Sequence, residues 1–195
     1  MKRFVDVIGA FSGLLVIAPL APFIAVAIKF TSRGPILVKL KRVSAGKIIE
    51  VYKFRTMINN AHFAKISLQK LNERLNGPFF KIKNDPRLTV IGKFLRKIRL
   101  DEFPQMINVL KGELSIVGPR PHEPEEIDRY PQEYRHILSV KAGVTGLSQV
   151  NGASSLPFLK ELELDNYYFN NQSLWLDIKI IAKTIFILFT DANAV

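Results

Sequence analysis

The chain has 195 residues, a formal net charge of +11 and 48% hydrophobic residues. This length suits one domain with its own core, and the apolar fraction excludes a disordered chain. The sequence contains no cysteine, which excludes disulfide bonds and thiolate metal sites. The positive charge is concentrated in residues 1–111 and indicates an anionic partner: nucleic acid, an anionic membrane surface or a phosphorylated substrate.

The N-terminal segment, residues 7–28, contains no charged residue. One continuous helix of this length reaches roughly 33 Å, enough to cross the hydrocarbon core of a bilayer. Pro19 and Pro22 lie inside the segment, and prolines in a helix interior cause a kink or a break.

Basic residues flank this segment on both sides, which favours a cytosolic position for both of its ends. They are Lys2, Arg3, Lys29, Arg33, Lys39, Lys41 and Arg42. We therefore predict that residues 1–33 form a re-entrant membrane helix hairpin, broken near Pro19. A single spanning helix and a cleaved signal peptide are the alternatives.

The remaining sequence predicts an α+β fold that is predominantly α-helical. Residues 36–43 and 48–55 are β-rich runs around a short polar turn, which is typical of a β-hairpin. Apolar spacing and capping signals predict helices over 58–76, 90–99, 101–111, 156–169 and 173–189, with Asp101 as a helix N-cap and Gly112 as a helix end. Residues 117–131 are rich in proline and predict a loop. We expect one β-hairpin and several amphipathic interfacial helices behind the re-entrant helix.

Asp101 and Glu102 are the most informative candidate site residues. They follow a basic helix that carries Arg96, Lys97 and Arg99. Adjacent carboxylates in such surroundings can supply a nucleophile or bind Mg²⁺. The alternative is an ordinary helix cap, in which an aspartate precedes a glutamate in the first turn.

Three basic residues are candidates for binding phosphate groups. Lys53 and Arg55 share one face of the second predicted strand, and Arg120 lies between two prolines in a rigid loop that can aim its guanidinium. Solvated surface positions are the alternative for all three. Asp165 is an isolated acid in the sequence, and the three histidines lack the spacing of metal ligands.

Considered together, the motifs of this chain resemble those of the bacterial sugar transferases, which are monotopic polyprenyl-phosphate phosphoglycosyl transferases. The resemblance covers nearly the whole chain. It rests on the N-terminal apolar segment followed by KFRTM at 53–57, KNDPR at 83–87, LDEFPQ at 100–105, NVLKG at 108–112, VGPRP at 117–121, GVTG at 143–146, ELDNYY at 163–168 and LWLDIK at 174–179.

The resemblance implies transfer of a sugar-1-phosphate from a UDP-sugar to undecaprenyl phosphate, with Mg²⁺, as the first membrane step of surface glycan assembly. By this resemblance, we expect Asp101 to attack the sugar-bearing phosphorus with UMP leaving, and Glu102 to support metal binding or proton transfer. We also expect residues 34–195 to form one cytosolic catalytic domain at the interface of the bacterial inner membrane, in contact with membrane lipids. The other matching positions are Lys53, Arg96, Arg120, Gln149, Asp165 and the helix-breaking Pro19.

Several positions depart from the family pattern. Ala153 stands where the family often has an arginine, and Leu147 and Ser148 replace a usual aromatic residue. Leu40 lies near the place of a family glutamine, and Ser44 replaces a glycine. An inactive relative is therefore one alternative to an active enzyme. A membrane-tethered basic binding module is the other, although no nucleic-acid-binding motif accompanies the charge.

Overall fold

The computed structural model describes residues 1–74, 77–152 and 155–190. Within these residues the fold mixes α-helices and β-strands, and about half of the chain is helical. The prediction of an α+β fold with one antiparallel β-hairpin is confirmed, and a second, parallel strand pair is added to it.

Two N-terminal helices, α1 (Lys2–Ile17) and α2 (Ala21–Thr31), meet at an angle of 62°. Pro19 lies in the break, and Pro22 occupies the first turn of α2, where proline costs no hydrogen bond. Among the described helices none is long and apolar enough to cross a bilayer alone, whereas α1 and α2 together have the required length and composition. The predicted break near Pro19 is confirmed.

The first turns of α1 are fixed to the rest of the chain by polar contacts. The Asp6 carboxylate is buried and accepts hydrogen bonds from the Ser115 hydroxyl and the Ile116 backbone N–H, both at 2.8 Å. Lys2 lies 3.0 Å from the Asp177 carboxylate. Arg3 donates to the backbone carbonyls of Val109 and Leu110 at the end of α5 (Gln105–Lys111).

The β-hairpin consists of β1 (Leu37–Ser44) and β2 (Lys47–Phe54), paired from Leu37–Phe54 to Ser44–Lys47. Ala45 and Gly46 form its two-residue turn, both with positive φ, as tight hairpin turns that match strand twist require. A second pair, β3 (Ser115–Val117) and β4 (Gly143–Thr145), is parallel and was absent from the prediction.

The predicted helix over 58–76 is wrong. The structure has a short α3 (Ala61–Ser67), followed by a 3₁₀ turn, Gln69–Leu71. Asn72 then takes an extended conformation, and its amide group bonds the backbone of Arg74, Phe79 and Lys81. These side-chain bonds organise a loop where the propensity pattern favoured a helix.

The helices around the carboxylate pair differ in detail from the prediction. Helix α4 (Val90–Lys97) ends two residues early, because Arg99 takes the left-handed conformation. Asp101 then lies in a 3₁₀ turn, Leu100–Glu102, so its predicted role as the N-cap of α5 is wrong. Gly112 ends α5 with a φ of +79°, as predicted.

The C-terminal half contains one short helix inside the predicted loop, α6 (Pro124–Ile127), then a 3₁₀ helix (Gln132–Ser139) and a second short helix, α7 (Leu147–Val150). Two long helices follow close to their predicted bounds, α8 (Phe158–Asn170) and α9 (Leu174–Thr190). Two apolar cores support the carboxylate pair. One joins α1, β2 and α5 around Val51 and Val109, and the other joins α1, α2 and α4 around Ile28 and Leu95.

Candidate active site

The carboxylate pair occupies the 3₁₀ turn between α4 and α5. Leu100 and Phe103, on either side of the pair, pack against the core formed by α1, α2 and α4. Asp101 is buried with 6% of its surface exposed, and Glu102 is half-buried. Apolar anchors on both sides therefore hold the two carboxylates in fixed positions.

Lys53 of β2 forms an ion pair with Glu102, with 2.5 Å between Nζ and Oε1. Phe54 is buried in the core on the opposite face of the strand, so alternation turns Lys53 toward the carboxylates. The distance is that of a short, charge-assisted hydrogen bond. The prediction that Lys53 binds a substrate phosphate stays a prediction, and the structure places its ammonium on Glu102.

The two carboxyl groups have opposite electrostatic surroundings. Burial raises the pKa of Asp101, and the Glu102 charge raises it further, against the opposing charges of Lys53 and Arg96. Burial also acts to raise the pKa of Glu102, but Lys53, Arg120 and Arg99 outweigh it and lower that pKa to about 2. Glu102 is therefore a stable anion, whereas Asp101 carries a less stabilised, more basic carboxylate.

Arg96 reaches the site because α4 packs directly on the backbone after β2. A Cβ on Gly92 would lie 1.9 Å from the Thr56 carbonyl oxygen, so only glycine allows this approach. The Thr89 hydroxyl caps α4 and also bonds the same carbonyl. One turn later, Arg96 Nε donates to the Thr56 hydroxyl at 3.0 Å.

Arg120 enters the site from the loop after β3. The backbone of Gly118 crosses that of Gly143 so closely that a Cβ on Gly143 would lie 2.1 Å from the Gly118 nitrogen. The Arg120 backbone N–H donates to the Asp165 carboxylate at 3.1 Å. Its guanidinium Nε lies 3.8 Å from Glu161, and its charge helps to lower the pKa of Glu102. The structure therefore brings Arg120 to the carboxylate pair.

Asp165 contacts the loop of Arg120, and Gln149 contacts the neighbouring strand β4. Asp165 lies on α8 with 1% of its surface exposed, and burial raises its pKa to about 6. Gln149 lies on α7, is buried, and donates to the Val144 carbonyl of β4 at 2.9 Å. Both residues thus contact backbone that positions the site.

Arg55 differs from its predicted position. Strand β2 ends at Phe54, and the buried Arg55 side chain donates to the Ser32 carbonyl at 2.6 Å, packed against Gly34. Burial lowers its pKa. Lys53 and Arg55 therefore bind different groups, because the chain leaves the strand between them. The prediction that Arg55 binds a substrate phosphate stays a prediction.

The profile of the family described as bacterial sugar transferase matches residues 1–191 of this chain. The chain belongs to the bacterial sugar transferase family.

This sugar transferase is 40% identical over 195 residues to the galactosyl transferase CpsE of Streptococcus agalactiae serotype III (strain NEM316), and covers 99% of itself and 43% of CpsE. It is 38% identical over 194 residues to the undecaprenyl-phosphate galactose phosphotransferase of Salmonella typhimurium, and the match covers 94% of this chain and 39% of that relative. The identity to the UDP-glucose:undecaprenyl-phosphate glucose-1-phosphate transferase of Klebsiella pneumoniae is 39%. That match covers 99% of this chain and 41% of the relative. The chain thus spans about two-fifths of the length of these curated relatives.

One departure from the family pattern has a structural explanation. The Ser44 hydroxyl donates to the Glu113 carbonyl and accepts the Ala142 backbone N–H, so the side chain joins the end of β1 to the residues just before β3 and β4. Ser148 is fully buried on α7, and its replacement of an aromatic residue has no structural explanation. Ala153, which replaces a family arginine, lies outside the described residues.

Three contributors to the candidate site were absent from the sequence prediction. Thr56 accepts a hydrogen bond from Arg96. Glu161 lies close to Arg120 and forms an ion pair with Arg74. Glu161 and Asp165 are four residues apart on one predicted helix and so share a helix face, which could have indicated that Glu161 lies near Asp165. Thr56 and Arg74 act through contacts distant in sequence, which no local pattern indicates.

Proposed function

We propose that this sugar transferase moves a sugar-1-phosphate from a UDP-sugar to undecaprenyl phosphate through a covalent intermediate on Asp101. The carrying observation is the buried Asp101 carboxylate beside Glu102, which is paired with Lys53. The name of the Klebsiella relative states a UDP-glucose donor and an undecaprenyl-phosphate acceptor, which supports the substrate classes.

In the first step an Asp101 carboxylate oxygen forms a bond to the sugar-bearing phosphorus, and the bond from that phosphorus to the bridging oxygen breaks. UMP leaves with the bond's electron pair, and an aspartyl phospho-sugar remains. In the second step an oxygen of undecaprenyl phosphate attacks the same phosphorus and releases the Asp101 carboxylate. Raising the pKa of Asp101 favours its nucleophilicity, because a more basic carboxylate is the better nucleophile.

The basic residues offset charge that builds up during these steps. Arg96 and Arg120 approach the carboxylate pair from α4 and from the loop after β3, and an arginine fork matches phosphate oxygens. Lys53 keeps Glu102 ionised and fixed beside the nucleophile. Two anionic substrates can therefore meet without the repulsion that the carboxylates alone would cause.

Magnesium is the cofactor we propose. We propose the carboxylates of Asp101 and Glu102 as its ligands, since the two residues are adjacent in one turn. Among the described residues no group of three or more His, Asp or Glu side chains forms a larger metal site. Two carboxylates fit Mg²⁺, which usually takes one or two protein carboxylates and completes its shell with water and substrate phosphates. The ion would supply positive charge to the phosphate oxygens.

We propose a re-entrant position for α1 and α2 in the cytosolic leaflet of the bacterial inner membrane. Asp6 at the start of α1 binds β3, and Ser32 after α2 binds Arg55, so both ends of the pair contact the same catalytic domain. Large apolar side chains are exposed along the pair, as lipid contact requires. They are Phe4, Ile8, Phe11, Leu15, Val16, Phe23, Val26 and Phe30. In this proposal the site lies at the depth of a lipid phosphate, and the lipid-linked product is the starting point of surface glycan assembly.

The test uses purified protein, Mg²⁺, undecaprenyl phosphate and a panel of UDP-glucose, UDP-galactose and UDP-N-acetylgalactosamine. We expect UMP release that depends on the lipid for turnover and stops with a chelator. With donor alone, mass spectrometry should find the phospho-sugar on the peptide that contains Asp101.

Asp101→Asn is the decisive variant, and Asp128→Asn, outside the site, is its control. We expect the first to lose UMP release and the covalent adduct, and the second to retain both. Full activity in Asp101→Asn would refute the covalent mechanism. No UMP release from any donor would instead indicate an inactive relative or a binding module.

A further inference from the structure

Behind Arg120 lies a buried carboxylate with three cationic or basic neighbours. Glu161 of α8 is completely buried. Its Oε2 is 3.0 Å from Arg74 Nη2, and its Oε1 is 3.8 Å from both Arg120 Nε and His122 Nε2. Glu161 Oε1 has no hydrogen-bond partner within the described residues, so Arg120 is attracted to it by charge rather than by a formed hydrogen bond.

Two separate contacts from α8 hold Arg120. The Glu161 carboxylate attracts its guanidinium, with 3.8 Å between Oε1 and Nε. The backbone of Arg120 is fixed separately by Asp165, one helical turn after Glu161. The direction of the guanidinium thus depends on how strongly Glu161 attracts it.

Arg74 contacts the other carboxylate oxygen of Glu161 and so limits the attraction between Glu161 and Arg120. It comes from the segment before α4, donates to the Leu156 carbonyl at 2.6 Å, and lies 4.5 Å from the centre of the Phe79 ring. Phe79 in turn stacks on His122, at 4.5 Å between ring centres. Arg74 neutralises Glu161 through Oε2, which leaves Oε1 to Arg120.

We propose that Glu161 is a positioning residue for Arg120 and that Arg74 acts through Glu161 to keep Arg120 available to the donor diphosphate. This inference rests on the proposed function. Without Arg74, the buried Glu161 charge retains Arg120 more tightly and the diphosphate loses its partner. Without the Glu161 charge, Arg120 loses its direction and Arg74 no longer matters to it.

The experiment is a double-mutant cycle of Arg74→Met and Glu161→Gln, with donor affinity from calorimetry and donor KM and kcat from UMP release. We expect Arg74→Met to raise the donor Kd and KM about tenfold, with kcat within about threefold and the lipid KM unchanged. In the Glu161→Gln background the same substitution should change the donor Kd less than about twofold.

Two further variants separate charge from packing. Arg74→Lys keeps the cation but loses the planar stack on Phe79, and we expect it to retain most of the donor affinity. Lys160→Met removes an exposed ion pair with Glu163 on the same helix and should leave the donor Kd unchanged. Thermal unfolding identifies any variant that has lost its fold. If Arg74→Met is one of them, the donor Kd of Glu161→Gln carries the test, and we expect it to rise.

An equal effect of Arg74→Met in both backgrounds would overturn the inference, because Arg74 would then act by holding Leu156. Unchanged donor affinity in Arg74→Met and Glu161→Gln would overturn it as well. A wild-type chain that binds the donor but releases no UMP would refute the proposed function alone, since the calorimetric cycle still tests the positioning. A chain that binds no UDP-sugar would refute both.

Discussion

Lys53 of the β-hairpin forms an ion pair with Glu102 of the carboxylate pair, with 2.5 Å between Nζ and Oε1. The charge of the same ammonium also opposes the burial effect that raises the pKa of the neighbouring Asp101. One lysine thus fixes one carboxylate and tunes the other.

We predict that Lys53→Met shifts the acid limb of the kcat/KM–pH profile to higher pH. Loss of the cation raises the pKa of Asp101, so the nucleophile is protonated over a wider range, and we expect activity at pH 7 to fall at least about tenfold. Lys39→Met, which removes an exposed ion pair with Glu50 from the same hairpin, is the control. An acid limb that stays in place in Lys53→Met would contradict the assignment.

Asp165→Asn should stabilise the protein at neutral pH. Burial raises the pKa of Asp165 from 3.8 to about 6, so the folded state holds this proton more tightly than the unfolded state. The carboxylate therefore destabilises the fold increasingly as pH rises from about 4 to about 6, by on the order of 3 kcal/mol above that range. The asparagine side-chain oxygen can still accept the Arg120 N–H without this penalty.

Thermal unfolding at pH 4.5 and pH 7.5 measures the effect of Asp165→Asn. We expect the Tm advantage of the variant to be larger at pH 7.5. Asn170→Ala, which changes a residue of the same helix without an ionisable side chain, should show the same Tm difference at both pH values. If Asp165→Asn also behaves in this pH-independent way, the proposed burial effect is absent.

Gly92→Ala tests the close packing of α4 on Thr56. The added Cβ would lie 1.9 Å from a backbone oxygen, so α4 must move and take Arg96 with it. We expect a loss of about 2–4 kcal/mol in the free energy of unfolding and at least a tenfold loss of activity. Gly9→Ala on α1, whose Cβ would meet the Ile116 side chain at 3.3 Å, should cost less than about 1 kcal/mol. Equal costs for the two substitutions would argue against the close packing.

The proposed re-entrant position can be tested with introduced cysteines, because the chain has none of its own. One cysteine is placed before Met1 and another replaces the exposed Lys160. We expect both to react with a membrane-impermeant maleimide only after the inner membrane is opened. Labelling of the first cysteine in cells with an intact inner membrane would establish a spanning topology instead.

Features with local causes were predictable from the sequence. Proline chemistry at Pro19 gave the break between α1 and α2, and alternation gave the side of β2 that presents Lys53. The family motifs identified Asp101, Glu102, Arg96 and Arg120, which the structure brings together at one place.

Other features depend on tertiary contacts and have no local signal. Strands β3 and β4 have three residues each, too few for alternation to be visible. The left-handed Arg99 and the Asn72 loop contradict ordinary propensity. Arg74 and Glu161 are 87 residues apart, and only the folded chain brings them into contact.

The anchoring of α1 also has a consequence for the order of events during protein synthesis. The groups that bind Asp6 lie 109 and 110 residues later in the chain, and the carboxylate that binds Lys2 lies 175 residues later. At a translation rate of about 5–20 residues per second, roughly 5–20 s pass before the partner of Asp6 is made. Docking of α1 on β3 is therefore a late step, and the nascent helix must be accommodated outside the finished domain until then.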